Sequence, residues 1–553
     1  MAWSESVPEP PTMRWWGWGE PGHPPTLGSA ALAFLREHVG VAGAPRPPVA
    51  LGAVRLEPSA LPEEAAHALR EVVGARGVRA DHGERVLHAA GKGYPDLVRL
   101  RAGTPEGAPD AVLHPRDRAQ LRALLDVCAR HALAVVPFGG GTSVVGGVAP
   151  LRGEHHSAVV ALDLSALRGI LDVDRESLTV RVGAGMRAPA LEQELRGLGL
   201  TLGHFPQSFE YVSLGGCAAT RSAGQASTGY GRFEEMVKGL VLLAPAGDIE
   251  LPAIPATAAG PELRRLAIGS EGTLGVIAEL SLRVRPAPAK RLYEGVFFRD
   301  FSAGAQALRA LAQEHATPAV ARLSDEAETG MSLALAGSGG LKGRLGRSYL
   351  GLRGYSGGCL AILGFEGAPE DLARRRKRAL ALVRRHDGLP VGHSPGRAWL
   401  AQRFAAPYLR DELLTHGVMV ETLETATRWS NLERLHREVA SAIAGALAAQ
   451  GTPGLVMCHI SHLYETGASL YFTFLARQRE GEEIAQWQAV KHAACEAILD
   501  GGGTITHHHA VGRDHAPWLE REIGVEGLAA LRALKQQLDP DGIMNPGKLL
   551  SAG

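Results

Sequence analysis

Cysteine is scarce in this 553-residue chain: Cys128, Cys217, Cys359, Cys458 and Cys495 are widely spaced and form no CxxC pair. That excludes a disulfide framework and argues against a structural zinc site. Aromatic residues make up only 5%, and Lys+Arg and Asp+Glu balance at 58 each, with a pI near 7.4. A nucleic-acid binder carries a basic excess or a basic stripe, and this sequence has neither. No run reaches the roughly 18 consecutive apolar residues of a spanning helix. The opening MAWSESVPEPPTMRWWGWGEPGHPP has neither the basic start nor the apolar centre of a secretory signal. The closing Ser551-Ala552-Gly553 is not a peroxisomal address. A cytoplasmic protein is the expectation.

What the chain has in excess is glycine, 69 residues where a typical share is about 7%. The glycines cluster between apolar segments, as expected where backbone approaches a ligand closely. Hydrophobic residues at 45% and charged residues at 21% are ordinary globular proportions. The length predicts about three or four domains or subdomains, and changes of texture set their boundaries. Residues 1–104 form a Pro/Trp-rich arm followed by helical patterns. In 105–288, DAVLHP and LAVVPF read as strands and RDRAQLRALLDVCARHA as a helix. SLTVRVGAG, APALEQELRGLG and TLGVIAELSLRVRP repeat the alternation. In 289–490, strand-like LYEGVFF and CLAILGFEG alternate with long helices, and 491–553 carries GGGTITHHHAVG and an amphipathic helix. Ser332–Gly351, rich in Gly and Ser, reads as a mobile loop. Its Leu333, Leu335, Leu341 and Leu345 beside Lys342, Arg344 and Arg347 suit either a membrane-touching or gating segment or a plain surface loop.

The strongest ligand signal is Pro137-Phe138-Gly139-Gly140-Gly141-Thr142-Ser143, directly after an apolar strand. Three successive glycines expose amide N–H groups in an anion-binding nest, and Thr142 and Ser143 add hydroxyls. No Lys follows, so this is not a P-loop, and the spacing is not the Rossmann GxGxxG. Alone, the loop fits a ligand-free turn equally well. Its companions change the balance. They are Gln207-Ser208-Phe209-Glu210-Tyr211-Val212-Ser213, Thr220-Arg221-Ser222-Ala223, and Glu271-Gly272-Thr273-Leu274-Gly275-Val276-Ile277 within GSEGTLGVI. PFGGGTS, TRSAG and GSEGTLGVI together resemble the FAD-binding domain of the vanillyl-alcohol oxidase/p-cresol methylhydroxylase flavoproteins. The resemblance implies an α+β fold: a two-subdomain FAD-binding domain plus an α+β cap (substrate) domain with an antiparallel sheet and helical termini. It implies that Pro137–Ser143 cradles the pyrophosphate of FAD and that the other segments surround the rest. No His lies in the first loop, so a non-covalent flavin is expected.

Function has to come from the site. His507-His508-His509 is the distinctive feature. Read as a strand, it puts His507 and His509 on one side and His508 on the other. A metal would need further ligands around one point, and only His515 is near in sequence, so no metal is expected. Imidazoles suit proton transfer because they titrate near neutrality. Tyr471, in YETGASLYF, can point from a strand into a cavity or simply pack there. Arg410, in YLRDELL, can hold a phosphate or carboxylate or pair with Asp411 or a helix neighbour.

With MRWWGWG (Met13–Gly19), YLRDELL, YETGASLYF and THHHAVG, the chain resembles the alkyldihydroxyacetonephosphate synthase family, flavoenzymes of ether-lipid synthesis. The resemblance implies a non-redox transferase that replaces the acyl chain of 1-acyl-dihydroxyacetone phosphate by a long-chain alcohol. It makes Tyr471 the acid/base group and His508 the base at C1, with His507 and His509 completing the cluster. It gives Arg410 a substrate contact and marks Arg322 (substrate side) and His204 (cofactor side). It further implies a lipid substrate and a fatty alcohol as partners, peripheral membrane contact and a homodimer. Metal-dependent 2-hydroxyacid dehydrogenases of the superfamily carry a ligand His and Glu where this chain has Tyr471 and His508. Gln207 stands where the synthase pattern has an acidic residue, and IMNPGKLL is closer to the oxidase relatives. The alternative is an FAD-linked oxidase or dehydrogenase of a hydroxylated small molecule.

Overall fold

The computed structural model describes residues 12–21, 27–41, 44–335 and 341–550. Two larger sheets organise the first half. Val78–Arg79, Ala111–Leu113, Ala158–Asp163 and Leu133–Phe138 lie side by side in that order, the last three parallel. Leu133–Phe138 and Ala158–Asp163 are almost wholly buried, as parallel strands covered on both faces must be. The helix between them, Arg118–Arg130, starts where the Asp117 side chain accepts a hydrogen bond from the Gln120 N–H. It buries Leu121, Leu124, Leu125 and Cys128, one helical stripe, against this sheet. The second sheet is antiparallel and five-stranded, in the order Ile170–Asp174, Thr179–Gly183, Val276–Arg283, Val237–Ala244, Gly247–Leu251.

The second half is built on a seven-stranded antiparallel sheet. Its order is Leu389–Gly392, Lys290–Phe298, Cys359–Gly367, Val320–Ser324, Leu455–Ile460, Gly467–Arg477, Val418–Arg428. Side-chain alternation gives this sheet two different faces. Phe472, Phe474 and Leu423 enter a core shared with the helices Phe301–Gln313, Pro369–Arg385, Leu432–Ala449 and Glu483–Asp500. Fully burying each of these phenylalanines contributes about 1.5–3 kcal/mol. Tyr471, Thr473 and Leu475 point the other way and line a cavity. The α+β class, with its antiparallel second sheet, agrees with the expectation.

Residues 332–351 depart from it. Instead of one loop, Glu326–Leu335 and Leu341–Leu352 are helices, and residues 336–340 lie outside the described ones. Glycine and serine suggested a loop, but the apolar residues follow helical spacing and decide the outcome. Leu345 and Leu352 are 61% and 90% exposed.

The chain returns to its beginning near its end. Val135 pairs with Met544 in parallel, its N–H bonding the Ile543 carbonyl (2.8 Å) and its carbonyl accepting from the Asn545 N–H (2.8 Å). The Asn545 side-chain amide donates to the carbonyls of Glu271 (2.6 Å) and Gly147 (3.1 Å), and Lys548 donates to the Ala149 carbonyl. One short segment thereby braces two glycine loops.

Candidate functional site

A cavity of about 480 Å³ runs between the two halves. One wall is made by the glycine loops: Pro137, Gly139–Ser143, Gln207, Ser208, Val212, Ser213, Thr220, Ser222, Ala223, Glu271, Gly272 and Gly275–Ile277 all line it. The remaining residues of those segments turn elsewhere. Phe138 packs its ring on His88 (4.4 Å between centroids) and Phe209 stacks on Phe404 (5.2 Å). Glu210 accepts from the Tyr408 hydroxyl (2.7 Å), Tyr211 packs edge-on to Trp18, and Arg221 pairs with Glu234 (3.0 Å). Thr273 bonds the Ser270 carbonyl (2.7 Å), and Leu274 is buried in the protein. His204 does not reach the cavity either. Its Nε2 meets the Ser222 hydroxyl (3.1 Å), and burial, with His508 adding, pulls its pKa down to about 3. These eight side chains support the loops rather than line the wall.

The wall suits a dinucleotide. Glycines stand where a Cβ would collide with protein: at Gly272 (φ +75°) it would lie 2.9 Å from Pro137 Cγ. Gln225, also on the wall, keeps a buried Oε1 with no protein partner.

Opposite this wall stand Tyr471, His508, His509, Arg322 and Arg410, all lining the same cavity. Tyr471 is raised to about 12, chiefly by burial, with Glu424 adding and the Thr422 hydrogen bond opposing, so it is a neutral hydroxyl at physiological pH. His459 stacks against its ring (4.7 Å) and His509 meets it edge-on (5.5 Å). Burial, with His508 adding, holds His509 well below the ordinary imidazole range, hence neutral. Arg322 pairs with Glu328 (2.8 Å) and lies 3.0 Å from His459. Arg410 is more enclosed. It donates to the Lys92 carbonyl (2.6 Å) and to Glu421 (3.3 Å), while its neighbour Asp411 accepts from the Trp18 N–H (2.7 Å).

The triple histidine is not a strand. Residues 507–509 form a bend ahead of Ala510, whose φ is +75°. The expected alternation therefore fails: His508 and His509 share the cavity, and His507 sits behind them. The Tyr464 hydroxyl meets His507 Nε2 (2.6 Å), and Arg232 donates to the His507 carbonyl (3.0 Å). The bend is fixed from the glycine-loop side of the cavity, because the carboxylate of Glu271 accepts both the Val511 and Gly512 N–H groups (2.8 and 2.7 Å).

Sequence reasoning missed the group at the centre. Glu424, fully buried, contacts His508 Nδ1 and lies 3.5 Å from His507 Nδ1 and 3.8 Å from His462 Nε2. Ser461 donates to its other oxygen (2.6 Å). Burial would push this carboxyl up, but His508 and His507 outweigh it and hold it well below the usual range. Burial also pulls His462 down, and the hydroxyl of Ser227 meets its Nδ1 (2.6 Å). Glu424, His462, His507 and His508 bring one ligand atom each within 4.8 Å of one another, near enough for a single cation. Glu424 comes from the strand Val418–Arg428 and His462 from just beyond the strand Leu455–Ile460, while His515 bonds the Ala510 carbonyl instead. The signal for Glu424 was present as an acid inside an apolar strand, VMVETLETATR.

Away from the polar centre the cavity becomes an apolar arm. Leu27, Phe34 and Leu35, at the helix Ser29–His38, face Met331 and Leu335 across Met457 and Leu475. Among the described residues no helix is long and apolar enough to cross a membrane.

Known proteins are similar in both parts. Residues 109–251 match the family described as FAD binding domain, and 287–549 the family described as FAD linked oxidases, C-terminal domain. The alkyldihydroxyacetonephosphate synthase of Dictyostelium discoideum is 32% identical over 473 residues, 84% of this chain and 77% of that protein. The enzyme of the same name from Trypanosoma brucei brucei is 32% identical over 90% of this chain and 82% of its own. A solved structure of an alkyldihydroxyacetonephosphate synthase superposes with a TM-score of 0.84 at 27% identity, covering 97% of this chain and 98% of the other. p-Cresol methylhydroxylase, 15% identical with a TM-score of 0.69, shares the fold over 88% of this chain and 96% of its own. The chain belongs to the alkyldihydroxyacetonephosphate synthase family, within the FAD-linked oxidases.

Proposed function

We propose that this protein is a flavin-dependent, non-redox transferase. It exchanges the acyl chain of 1-acyl-dihydroxyacetone phosphate for a long-chain alcohol, giving alkyl-dihydroxyacetone phosphate. The observation that carries the reading is the single cavity joining the glycine loops, the Tyr471–His508–His509 cluster and an apolar arm. A small hydroxy acid needs no such arm, whereas an acyl or alkyl chain needs apolar wall along its length. The lining segments Pro137–Ser143, Gln207–Ser213, Thr220–Ala223 and Glu271–Ile277 hold FAD, without a covalent bond. When bound, the flavin supplies the nucleophilic centre for exchange at carbon with no net oxidation.

The protein's own groups do the rest. His508 takes the proton from C1 of the substrate and returns one to C1 once the ether bond has formed. Tyr471, a neutral hydroxyl, donates to the leaving carboxylate and accepts from the incoming alcohol. Arg322 and Arg410 are the guanidinium groups on the cavity wall and face the phosphate. Of the two, Arg322 is the freer, its side chain 25% exposed against 8% for Arg410. The apolar arm keeps water away from the exchange. The exposed Leu345 and Leu352 support peripheral contact with a lipid surface, read by co-sedimentation with vesicles. A homodimer follows from the family alone and is read by light scattering.

The test is an anaerobic absorbance trace of the yellow holoprotein during addition of acyl-dihydroxyacetone phosphate and hexadecanol, with product analysis on the same sample. An ether product, with the flavin absorbance returning and no electron acceptor present, is the expected result. Lasting flavin reduction with an oxidised product overturns it in favour of a dehydrogenase.

A further inference from the structure

We propose that Glu424 is the positioning carboxylate of the proton-transfer centre, holding His508 with its Nδ1 proton inward and its Nε2 lone pair toward the substrate. This rests on the reading of His508 as the base. Glu424 lies on the strand Val418–Arg428 directly opposite Tyr471 on its neighbour, so both residues share the cavity face of the sheet. Val420 and Thr422, four and two residues earlier on that face, line the cavity, but Glu424 is sealed behind the histidines and does not.

Its neighbours favour one arrangement of protons. Ser461 Oγ donates to Oε1, and Ser461 Oγ in turn lies 2.9 Å from Ser469 Oγ. Oε2 is left to the two Nδ1 atoms, of His508 in contact and of His507 at 3.5 Å. With the Tyr464 hydroxyl donating to His507 Nε2, His507 carries its proton on Nδ1, facing Glu424 Oε2. Oε2 has no hydrogen bond of its own, so it is free to take the His508 Nδ1 proton. In this arrangement His508 turns Nε2 toward the cavity. When Nε2 takes the substrate proton, the imidazolium forms against a charge already in place, and no group has to move. A fully buried carboxylate without such partners would be costly, and placing one amid imidazoles at the wall of the reaction chamber serves the imidazolium.

The experiment compares wild type, Glu424→Gln, Glu424→Asp and His508→Ala as flavin-loaded holoproteins. It measures kcat, KM for the acyl substrate, and flavin absorbance. Glu424→Gln keeps the volume and the Ser461 bond but turns an amide donor or a neutral oxygen to His508. The expected result is a kcat lower by about 10²–10⁴-fold with KM and flavin content near wild type. Glu424→Asp, which keeps the charge but withdraws it, falls in between. If the Gln protein loses flavin, the Asp protein alone decides: kcat reduced at full flavin loading supports the proposal, and kcat unchanged overturns it. Unchanged kcat in Glu424→Gln overturns the proposal while leaving His508 in place. Full turnover in His508→Ala overturns the base reading itself. One equivalent of divalent metal in the purified protein, with turnover lost on chelation, overturns the proposal by making Glu424 a ligand.

Discussion

Replacing Gly275 by alanine tests whether the loop Glu271–Ile277 holds the flavin by its backbone. Gly275 has φ +148° and lines the cavity just before the strand Val276–Arg283. A Cβ there would sit 2.5 Å from the Leu243 carbonyl oxygen and 3.0 Å from both Leu243 C and Ala244 Cα. All three are backbone atoms of Val237–Ala244, a strand paired on both sides, so none can yield as a flexible side chain would. Ordinary contact lies near 3.5 Å, so the loop must retreat toward the cavity by about 1 Å. The unfavourable φ costs about 1–3 kcal/mol, and the overpacking a similar amount. Each ~1.4 kcal/mol that flavin binding must supply to restore the loop is a tenfold loss of affinity. The assay is fluorescence titration of the apoprotein with FAD, beside thermal unfolding of both forms. The expected result is a Kd at least tenfold weaker together with a lowered Tm. A Gly275→Ala protein that binds FAD as the wild type does would refute the reasoning.

Three further expectations concern other parts of the molecule. Met331→Trp narrows the apolar arm, so KM for hexadecanol should rise about tenfold while a short alcohol is little affected. Equal effects on both alcohols would remove Met331 from the chain path. Burial raises Glu271 to about 7 against the backbone donors Val511 and Gly512, so the native state keeps a proton that the unfolded chain releases between about pH 4.5 and 7. Stability from this group therefore falls as pH rises through that window, by about 3 kcal/mol at most. Glu271→Gln should flatten the slope of Tm against pH, and parallel curves would speak against it. Gly330, inside the helix Glu326–Leu335 with open space around it, should stabilise by about 0.5–1 kcal/mol when changed to alanine. A drop in Tm there would show a contact the helix does not otherwise display.

What was legible in the sequence follows from how local each signal is. The glycine loops announce themselves because backbone donors require glycine in short, contiguous runs. The strands and long helices of both halves follow their apolar periods, as Arg118–Arg130 and Phe301–Gln313 do. The histidine bend was misread because alternation applies only to a strand, and Ala510 with its left-handed φ breaks the pattern just beyond it. Glu424 was overlooked because in ETLETATR an acid two residues from a threonine looks like the wet face of an edge strand. Its burial depends on histidines some 80 residues further on. His459 and His462 were visible as residues, but their partners Glu328 and Ser227 come from other parts of the chain. Helix for loop at 332–351 is the reverse case, where composition misled and spacing did not.

The brace made by Ile543–Lys548 bears on the order of events during synthesis. The loop at Gly139–Gly147 leaves the ribosome early, yet Asn545, which ties Gly147 to Glu271, is encoded 398 residues later than Gly147. Domains otherwise tend to fold as they emerge. Here the first sheet must wait with an open edge beside Val135 until Met544 arrives to cover it. The loops that face the cofactor are therefore braced only once this last segment has been made. An mRNA truncated before this segment yields a nearly full-length polypeptide that presents an unpaired strand to chaperones and proteases instead of a flavin pocket.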